Sequence, residues 1–269
     1  MQGSPRVNGG KGGSGVFQRI ISLMPAHAIY VETHLGAGNI LRRKRPAAGS
    51  YAIEIDPETL AAFRAAYGRE LANVEYVHGD CVDWLRDFGR HCTGRELIYS
   101  DPPYVLSSRR SARRLYRHEY TEQDHLRLLE VLLGIRCYVM VSGYANPIYD
   151  EILSGWHAVS FAAQTRGGPA VETVWLNYDH TRVLKHDYSH TGINYRERER
   201  IKKKARRWAA RLNDMPTDER NYLLRLIAEQ FGGEVRFHAG HADSGIAGTD
   251  GISEDTTKDD DASRSIVGI

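Results

Sequence analysis

Four short apolar runs within the first 101 residues each terminate at an acidic side chain, a glycine or both. Ile29-Tyr30-Val31-Glu32-Thr33-His34-Leu35 leads into Gly36-Ala37-Gly38-Asn39-Ile40, and Tyr51-Ala52-Ile53-Glu54-Ile55-Asp56 ends in two acids. Val74 to His78 ends at Gly79-Asp80-Cys81, and Glu96 to Ser100 is followed at once by Asp101-Pro102-Pro103-Tyr104. Runs of this length bounded by such residues read as buried strands. Helical spacing in Pro57 to Tyr67, Thr121 to Leu133 and Pro147 to Leu153 supplies the connecting elements. A chain that alternates buried strands with helices is confined to an α/β architecture around a parallel sheet. Ligands of such sheets bind outside the carboxyl ends of the strands, where these polar residues fall.

The tetrapeptide Asp101-Pro102-Pro103-Tyr104 carries the most specific chemistry. A carboxylate, a rigid diproline and an aromatic ring at a strand end can grip a planar base bearing an exocyclic amine. The lone pair of such an amine is delocalised into the ring, so it is a poor nucleophile until something localises it. The Asp101 carboxylate and the Pro102 carbonyl could each accept one N–H, and the prolines hold that carbonyl without a competing donor. Tyr104 would stack on the base, a contact worth about 1–3 kcal/mol. Taken alone, the tetrapeptide reads equally well as an ordinary Pro-Pro turn with an Asp cap.

The other strand ends supply context. A strand followed by Gly36-Ala37-Gly38 and a helix lets backbone approach a ligand closely. Glu54, with Asp56 as second choice, lies about 20 residues on, where a ribose-binding carboxylate belongs. Asp80 could accept from an adenine amine of a cofactor. Each acid alone reads first as a strand-end cap; three in succession before the tetrapeptide point to a nucleotide-like cofactor. Leu41 replaces the third glycine of a dinucleotide fingerprint, which favours S-adenosylmethionine over a nicotinamide.

With these residues in view, the chain resembles the DNA adenine methyltransferases of the Dam class, especially their phage and prophage members, over about residues 8 to 180. Asn8-Gly9-Gly10-Lys11 is similar to the family's Ala-Gly-Gly-Lys segment, and Glu32 to Gly38 is similar to Glu-Pro-Phe-x-Gly-x-Gly, with Thr33 and His34 in place of Pro-Phe. Arg117 to Thr121, Val141-Ser142-Gly143-Tyr144 and Pro147 to Asp150 also resemble family segments. The resemblance implies a Rossmann-like S-adenosylmethionine-dependent methyltransferase fold, a seven-stranded and mostly parallel sheet with a C-terminal antiparallel hairpin. It implies methyl transfer to the N6 amine of adenine in double-stranded DNA, with the base flipped from the stack. Catalysis would then rest on Asp101, Pro102, Pro103 and Tyr104. The cofactor would be held by Gly10, Lys11, Glu32, Gly36, Gly38, Glu54, Asp56, Asp80, Cys81 and Asp101. No metal is required, because the sulfonium leaving group departs neutral. Dam itself places a large recognition region between the third acidic strand and the tetrapeptide; here about twenty residues separate Asp80 from Asp101. The base reader is therefore small or lies after the tetrapeptide. RNA adenine or cytosine N4 is the alternative target, and cytosine enzymes more typically carry Ser in place of Asp101. An inert DNA-binding module is the alternative of a different class.

The net charge of +2 conceals an uneven distribution. Arg109, Arg110, Arg113, Arg114 and Arg117 crowd the segment of about residues 105–120, interleaved with Tyr116 and His118. This loop would overhang the target pocket and contact phosphates, although an Arg-rich loop can also be merely solvated. At 41% hydrophobic residues, with no apolar run of about 18 residues and a polar leader, the chain reads as a cytoplasmic protein with no membrane partner. Cys81, Cys92 and Cys137 fit neither a disulfide framework nor a metal cluster.

Three regions follow. Residues 1–193 form the catalytic domain, with later strands at Arg136 to Ser142, His157 to Gln164 and Glu172 to Tyr178; Arg166-Gly167-Gly168-Pro169 turns the last two into a hairpin. The helix from Thr121 is expected to face the core through Leu126, Leu129 and Leu133. Residues 194–233 read as a basic helical hairpin. Tyr195 to Leu212 presents the stripe Ile201, Ala205, Trp208 and Leu212, Trp208 packs on the partner helix, and the second helix ends at Gly232-Gly233. Residues 234–269 have the composition of a disordered acidic tail.

Overall fold

The computed structural model describes residues 11–13, 15–109, 116–165 and 168–239. Seven strands form one sheet in the order β3-β2-β1-β4-β5-β7-β6. Strands β1 (Ile29–Glu32), β2 (Gly49–Glu54), β3 (Val74–His78), β4 (Glu96–Ser100) and β5 (Tyr138–Gly143) are mutually parallel. β6 (His157–Thr165) and β7 (Gly168–Leu176) form an antiparallel hairpin whose second strand inserts beside β5. This is the Rossmann-like α/β architecture expected, with the hairpin at one edge.

Alternate residues of each strand feed opposite layers, because successive side chains of a strand point to opposite faces. Tyr30, Leu97, Tyr99 and Met140 pack with α1 (Val16–Leu23) and α2 (Pro57–Tyr67). Val31, Ile98, Val139 and Val141 pack on the other face with α3 (Cys81–Phe88), α4 (Glu122–Gly134) and α5 (Pro147–Ile152). Both faces being covered, the central strands read as continuous apolar runs. Asp56 and Asp80 cap α2 and α3, accepting from Glu58 N at 3.1 Å and Val82 N at 2.7 Å, so each acid starts the helix that returns the chain.

Several expectations are corrected. The buried face of α4 is His125, Leu128, Leu129 and Leu132, whereas Leu126 and Leu133 are 39% and 48% exposed. The leucines spread over about 160° of that helix, wider than the face it buries; the sheet and the His125 Nδ1 bond to Tyr149 Oη at 2.8 Å decide which of them turn inward. β1 stops at Glu32 because Leu35 N turns to Ile53 O at 2.9 Å and opens the glycine loop. β7 begins at Gly168, so Gly168 and Pro169, expected in the turn, belong to the strand and pair with Thr165 and Gln164 of β6.

Two long helices follow the sheet, α6 (Tyr195–Asp214) and α7 (Thr217–Ala239). α7 continues through Gly232 and Gly233, where an end was expected. Trp208 does not bury itself against α7: it is 49% exposed, with the Arg211 guanidinium 5.4 Å from its ring. Tyr222, Leu224, Ile227 and Phe231 of α7 are exposed as well. No helix among the described residues is long and apolar enough to cross a membrane. The tail beyond residue 239 lies outside the described residues.

Candidate active site

The carboxyl ends of β1, β2 and β4, with the loops that follow them, enclose a cavity of about 260 Å³. Glu32, Glu54, Asp56, Asp80 and Asp101 all line it. Lys11, Gly36, Gly38, Cys81 and Pro103 line it too, and Tyr116, Arg117 and His118 reach it from the other side. Residues separated by up to 109 positions in the chain thus meet at one sheet edge (Lys11 to Tyr120). Gly10, Arg110, Arg113 and Arg114 lie outside the described residues.

The glycine loop is fastened by carboxylates. Gly36 and Gly38 take φ values of 48° and 55°, a left-handed region that side chains rarely occupy. A Cβ at Gly38 would overlap the Phe63 ring. Glu54 Oε2 accepts from Gly36 N at 2.8 Å and its Oε1 from Asp56 N at 3.0 Å. Glu32 Oε2 accepts from Leu41 N at 2.9 Å and from Tyr30 Oη at 2.8 Å. Burial pushes the Glu32 carboxyl up to about 8, and burial pulls Lys44 behind it down to about 7.

Thr33 and His34, which stand where the resembled family has Pro-Phe, build a polar wall. His34 Nδ1 meets Thr33 Oγ1 at 2.8 Å, and its Nε2 meets Tyr120 Oη at 2.9 Å and Cys81 Sγ at 3.5 Å. Burial lowers the His34 imidazole to about 3 and raises the Cys81 thiol to about 12. The wall is therefore made of neutral donors and acceptors at ordinary pH.

Around Asp101 the charges are concentrated and dry. Lys11 Nζ lies 2.9 Å from Asp101 Oδ1 and 2.6 Å from Glu172 Oε1, and it also donates to Tyr104 Oη. Tyr104 Oη in turn donates to Glu172 Oε2 at 3.0 Å, and Ser142 Oγ donates to Asp101 Oδ1 at 3.0 Å. Burial pulls the Lys11 ammonium down, but Asp101 and Glu172 outweigh it and hold the group well above its usual range. Burial raises the Asp101 carboxyl, and Lys11 offsets part of that rise. Both side-chain bonds to Asp101 fall on Oδ1, and among the described residues no side chain donates to Oδ2. The Tyr104 ring stands 4.3 Å from that of Tyr144.

Glu172 and Ser142 belong to this cluster, yet neither received a role from the sequence. The signal for Glu172 was a lone acid within the apolar strand Ala170 to Leu176. In a buried strand an unpaired charge is costly, so its presence implied a cation opposite.

Arg109 corrects an expectation. It does not reach outward for phosphate: its guanidinium forms a two-point pair with Glu119 at 3.0 and 2.6 Å, and its Nε donates to Tyr104 O at 2.8 Å. The side chain is 4% exposed. Arg117 remains 60% exposed but pairs with Asp56 at 3.2 Å and Glu58 at 2.9 Å. Far from the cavity, Cys92 Sγ and Cys137 Sγ meet at 3.4 Å beside Glu96, a grouping their spacing did not announce. The Glu96 oxygens accept from Thr93 N, Thr93 Oγ1 and Arg95 N.

No protein-family model matches the sequence, and no curated protein matches it. Solved structures do. TrmN from Thermus thermophilus is 16% identical with a TM-score of 0.41, over 60% of this chain and 46% of that one. This chain thus spans less than half of TrmN. An rRNA methylase from Streptococcus thermophilus is 13% identical with a TM-score of 0.40, over 60% of this chain and 93% of that one. A SAM-dependent methyltransferase from Agrobacterium tumefaciens is 12% identical with a TM-score of 0.39, over 60% of each chain.

Proposed function

We propose that the protein transfers the methyl group of S-adenosylmethionine to the N6 amine of adenine in duplex DNA. The observation that carries this reading is the position of Asp101. It directly follows the central strand β4 and touches a cavity walled by carboxylates at or just after the ends of β1, β2 and β3. The cavity's groups fit the cofactor: Glu54 and Asp56 are acceptors suited to ribose hydroxyls, Asp80 to an adenine amine, and the Gly36–Gly38 loop allows close backbone approach. When bound, the cofactor supplies an electrophilic methyl on a sulfonium.

The chain's own residues do the rest. Lys11 and Ser142 fix the Asp101 carboxylate through Oδ1, so that Oδ2 accepts one N–H of the target amine. The Pro102 carbonyl accepts the other, and the nitrogen lone pair is turned towards the cofactor. Tyr104 and Tyr144 offer aromatic faces for the flipped base. Asp101, its carboxyl raised by burial, is the nearest group to take the proton that the amine sheds. Most of the acceleration comes from orientation in a closed pocket and from charges fixed in advance.

The test is mass spectrometry of nucleosides digested from unmethylated duplex DNA, and in parallel from RNA, after incubation with the protein and S-adenosylmethionine. N6-methyladenine from DNA, absent with Asp101→Ala, is the expected result. Methylation confined to RNA would move the substrate, and failure to bind the cofactor would end the enzyme reading.

A further inference from the structure

The arginines near the cavity that the structure describes are engaged within the fold, Arg109 with Glu119 and Arg117 with Asp56 and Glu58. A second cationic surface stands apart on α6. Nine of its 20 residues are Lys or Arg, against three acids (YRERERIKKKARRWAARLND). At 3.6 residues per turn, Arg196, Arg200, Lys203, Lys204, Arg207 and Arg211 fall within about 100° of arc and extend over about 22 Å. All six are exposed. Ile201, Ala205, Trp208 and Leu212 form a separate stripe about 120° round the helix.

Few of these charges are answered within the chain. Arg200 lies 3.7 Å from Glu197, and Arg211 sits over the Trp208 ring. Among the described residues no acidic group forms an ion pair with Arg196, Lys203, Lys204 or Arg207. Like charges one turn apart, as in Arg196 with Arg200 and Lys203 with Arg207, oppose the isolated helix. A polyanion would relieve that repulsion. The helix is rooted at its start, where Asn194 Oδ1 accepts from Glu197 N at 2.9 Å and Arg198 is 6% exposed. From Lys203 to Arg211 every residue is exposed, so the cationic face is presented to solvent along its length.

We propose that this face of α6 grips the phosphate backbone of duplex DNA without reading its sequence, holding the polymer while the cavity acts on one base. The inference rests on the proposed nucleic-acid substrate only for the identity of the polymer. A basic amphipathic helix can instead lie on an anionic membrane. Here the apolar side is narrow and includes Ala205, so the cationic side dominates and DNA is the better fit.

The experiment is fluorescence anisotropy of the full chain with unmethylated duplex DNA over a salt series, repeated with the variant Lys203→Gln/Arg207→Gln/Arg211→Gln. Each phosphate contact contributes about 0.9 to the slope of log affinity against log salt. The variant is expected to show a slope shallower by about 2.7, weaker binding at low salt and unchanged cofactor binding. A shallower slope in a protein that methylates neither DNA nor RNA would keep the DNA grip and reject the catalytic reading; methylation with identical slopes would do the opposite. Identical slopes, no salt-dependent DNA binding, or a variant defect seen only on phosphatidylserine vesicles overturns the proposal.

Discussion

Lys11 Nζ stands 2.9 Å from Asp101 Oδ1 although 89 intervening residues separate the two in the chain. The ammonium also meets Glu172 at 2.6 Å, so a single cation from the N-terminal loop bridges two carboxylates, one just after β4 and one, buried, on β7. The site and the fold are coupled through this lysine.

Lys11→Met should therefore destabilise the chain. Removing one partner of a buried ion pair costs about 3–5 kcal/mol, because the remaining charges lose their compensation. Urea unfolding at neutral pH measures it. A midpoint equal to the parent's would show that Asp101 and Glu172 manage their charge by sharing a proton.

Ser142→Ala should affect turnover rather than cofactor affinity. Ser142 Oγ bridges Tyr99 Oη at 2.9 Å and Asp101 Oδ1 at 3.0 Å. Losing that bond, worth about 0.5–1.5 kcal/mol, is expected to lower kcat by up to about tenfold while the Kd for S-adenosylmethionine stays fixed. Ser142→Thr, which retains the hydroxyl, should recover part of the rate.

Arg109→Lys keeps the charge and loses the planar fork. With Glu119 9% exposed on the other side of the pair, stability should fall by about 1–3 kcal/mol, the cost of leaving a buried partner incompletely bonded. The salt dependence of DNA binding should not change, which separates a brace under Tyr104 from a phosphate contact. Thermal unfolding and anisotropy on the same sample decide between them.

Gly38→Ala places a methyl against Phe63 at a backbone φ of 55°. The left-handed conformation alone costs about 1–2 kcal/mol for a residue with a side chain, and the overlap adds to it. Calorimetric titration should show weakened binding of S-adenosylmethionine, together with a lower Tm.

Stability should vary with pH through Glu32 and Lys44 in opposite senses. Glu32 is raised to about 8, so the folded state binds more protons than the unfolded one between the usual carboxylate range and pH 8. Its contribution falls as pH rises through that window, by at most about 1.4 kcal/mol per unit. Lys44 is lowered to about 7, so the unfolded state binds more protons above pH 7 and up to the usual lysine range, and stability rises with pH there. Glu32→Gln removes the first trend. Denaturant unfolding at pH 6, 7 and 9 should find the variant's gain over the parent growing from pH 6 to 9; a constant gain would refute the Glu32 assignment.

The alternation of strands and helices, the acids at the strand ends and the tetrapeptide after β4 were legible in the sequence, because burial on both faces of a parallel sheet and capping of its helices leave local patterns. Asp56 and Asp80 show how far that legibility goes: their caps follow from position alone, whereas their place on one cavity wall does not. The pairing of Arg109 with Glu119, the inward turn of Leu128 and Leu132 in place of Leu126 and Leu133, and the meeting of Lys11 with Glu172 came only from the tertiary structure. Each depends on which groups from distant segments share the same dry volume. The sequence by itself determined the elements and the end of the sheet where chemistry belongs, since hydrophobic periodicity and backbone preference are local. The tertiary structure decided which charges neutralise one another and which remain for a partner, because electrostatic pairing acts through space across segments far apart in the chain.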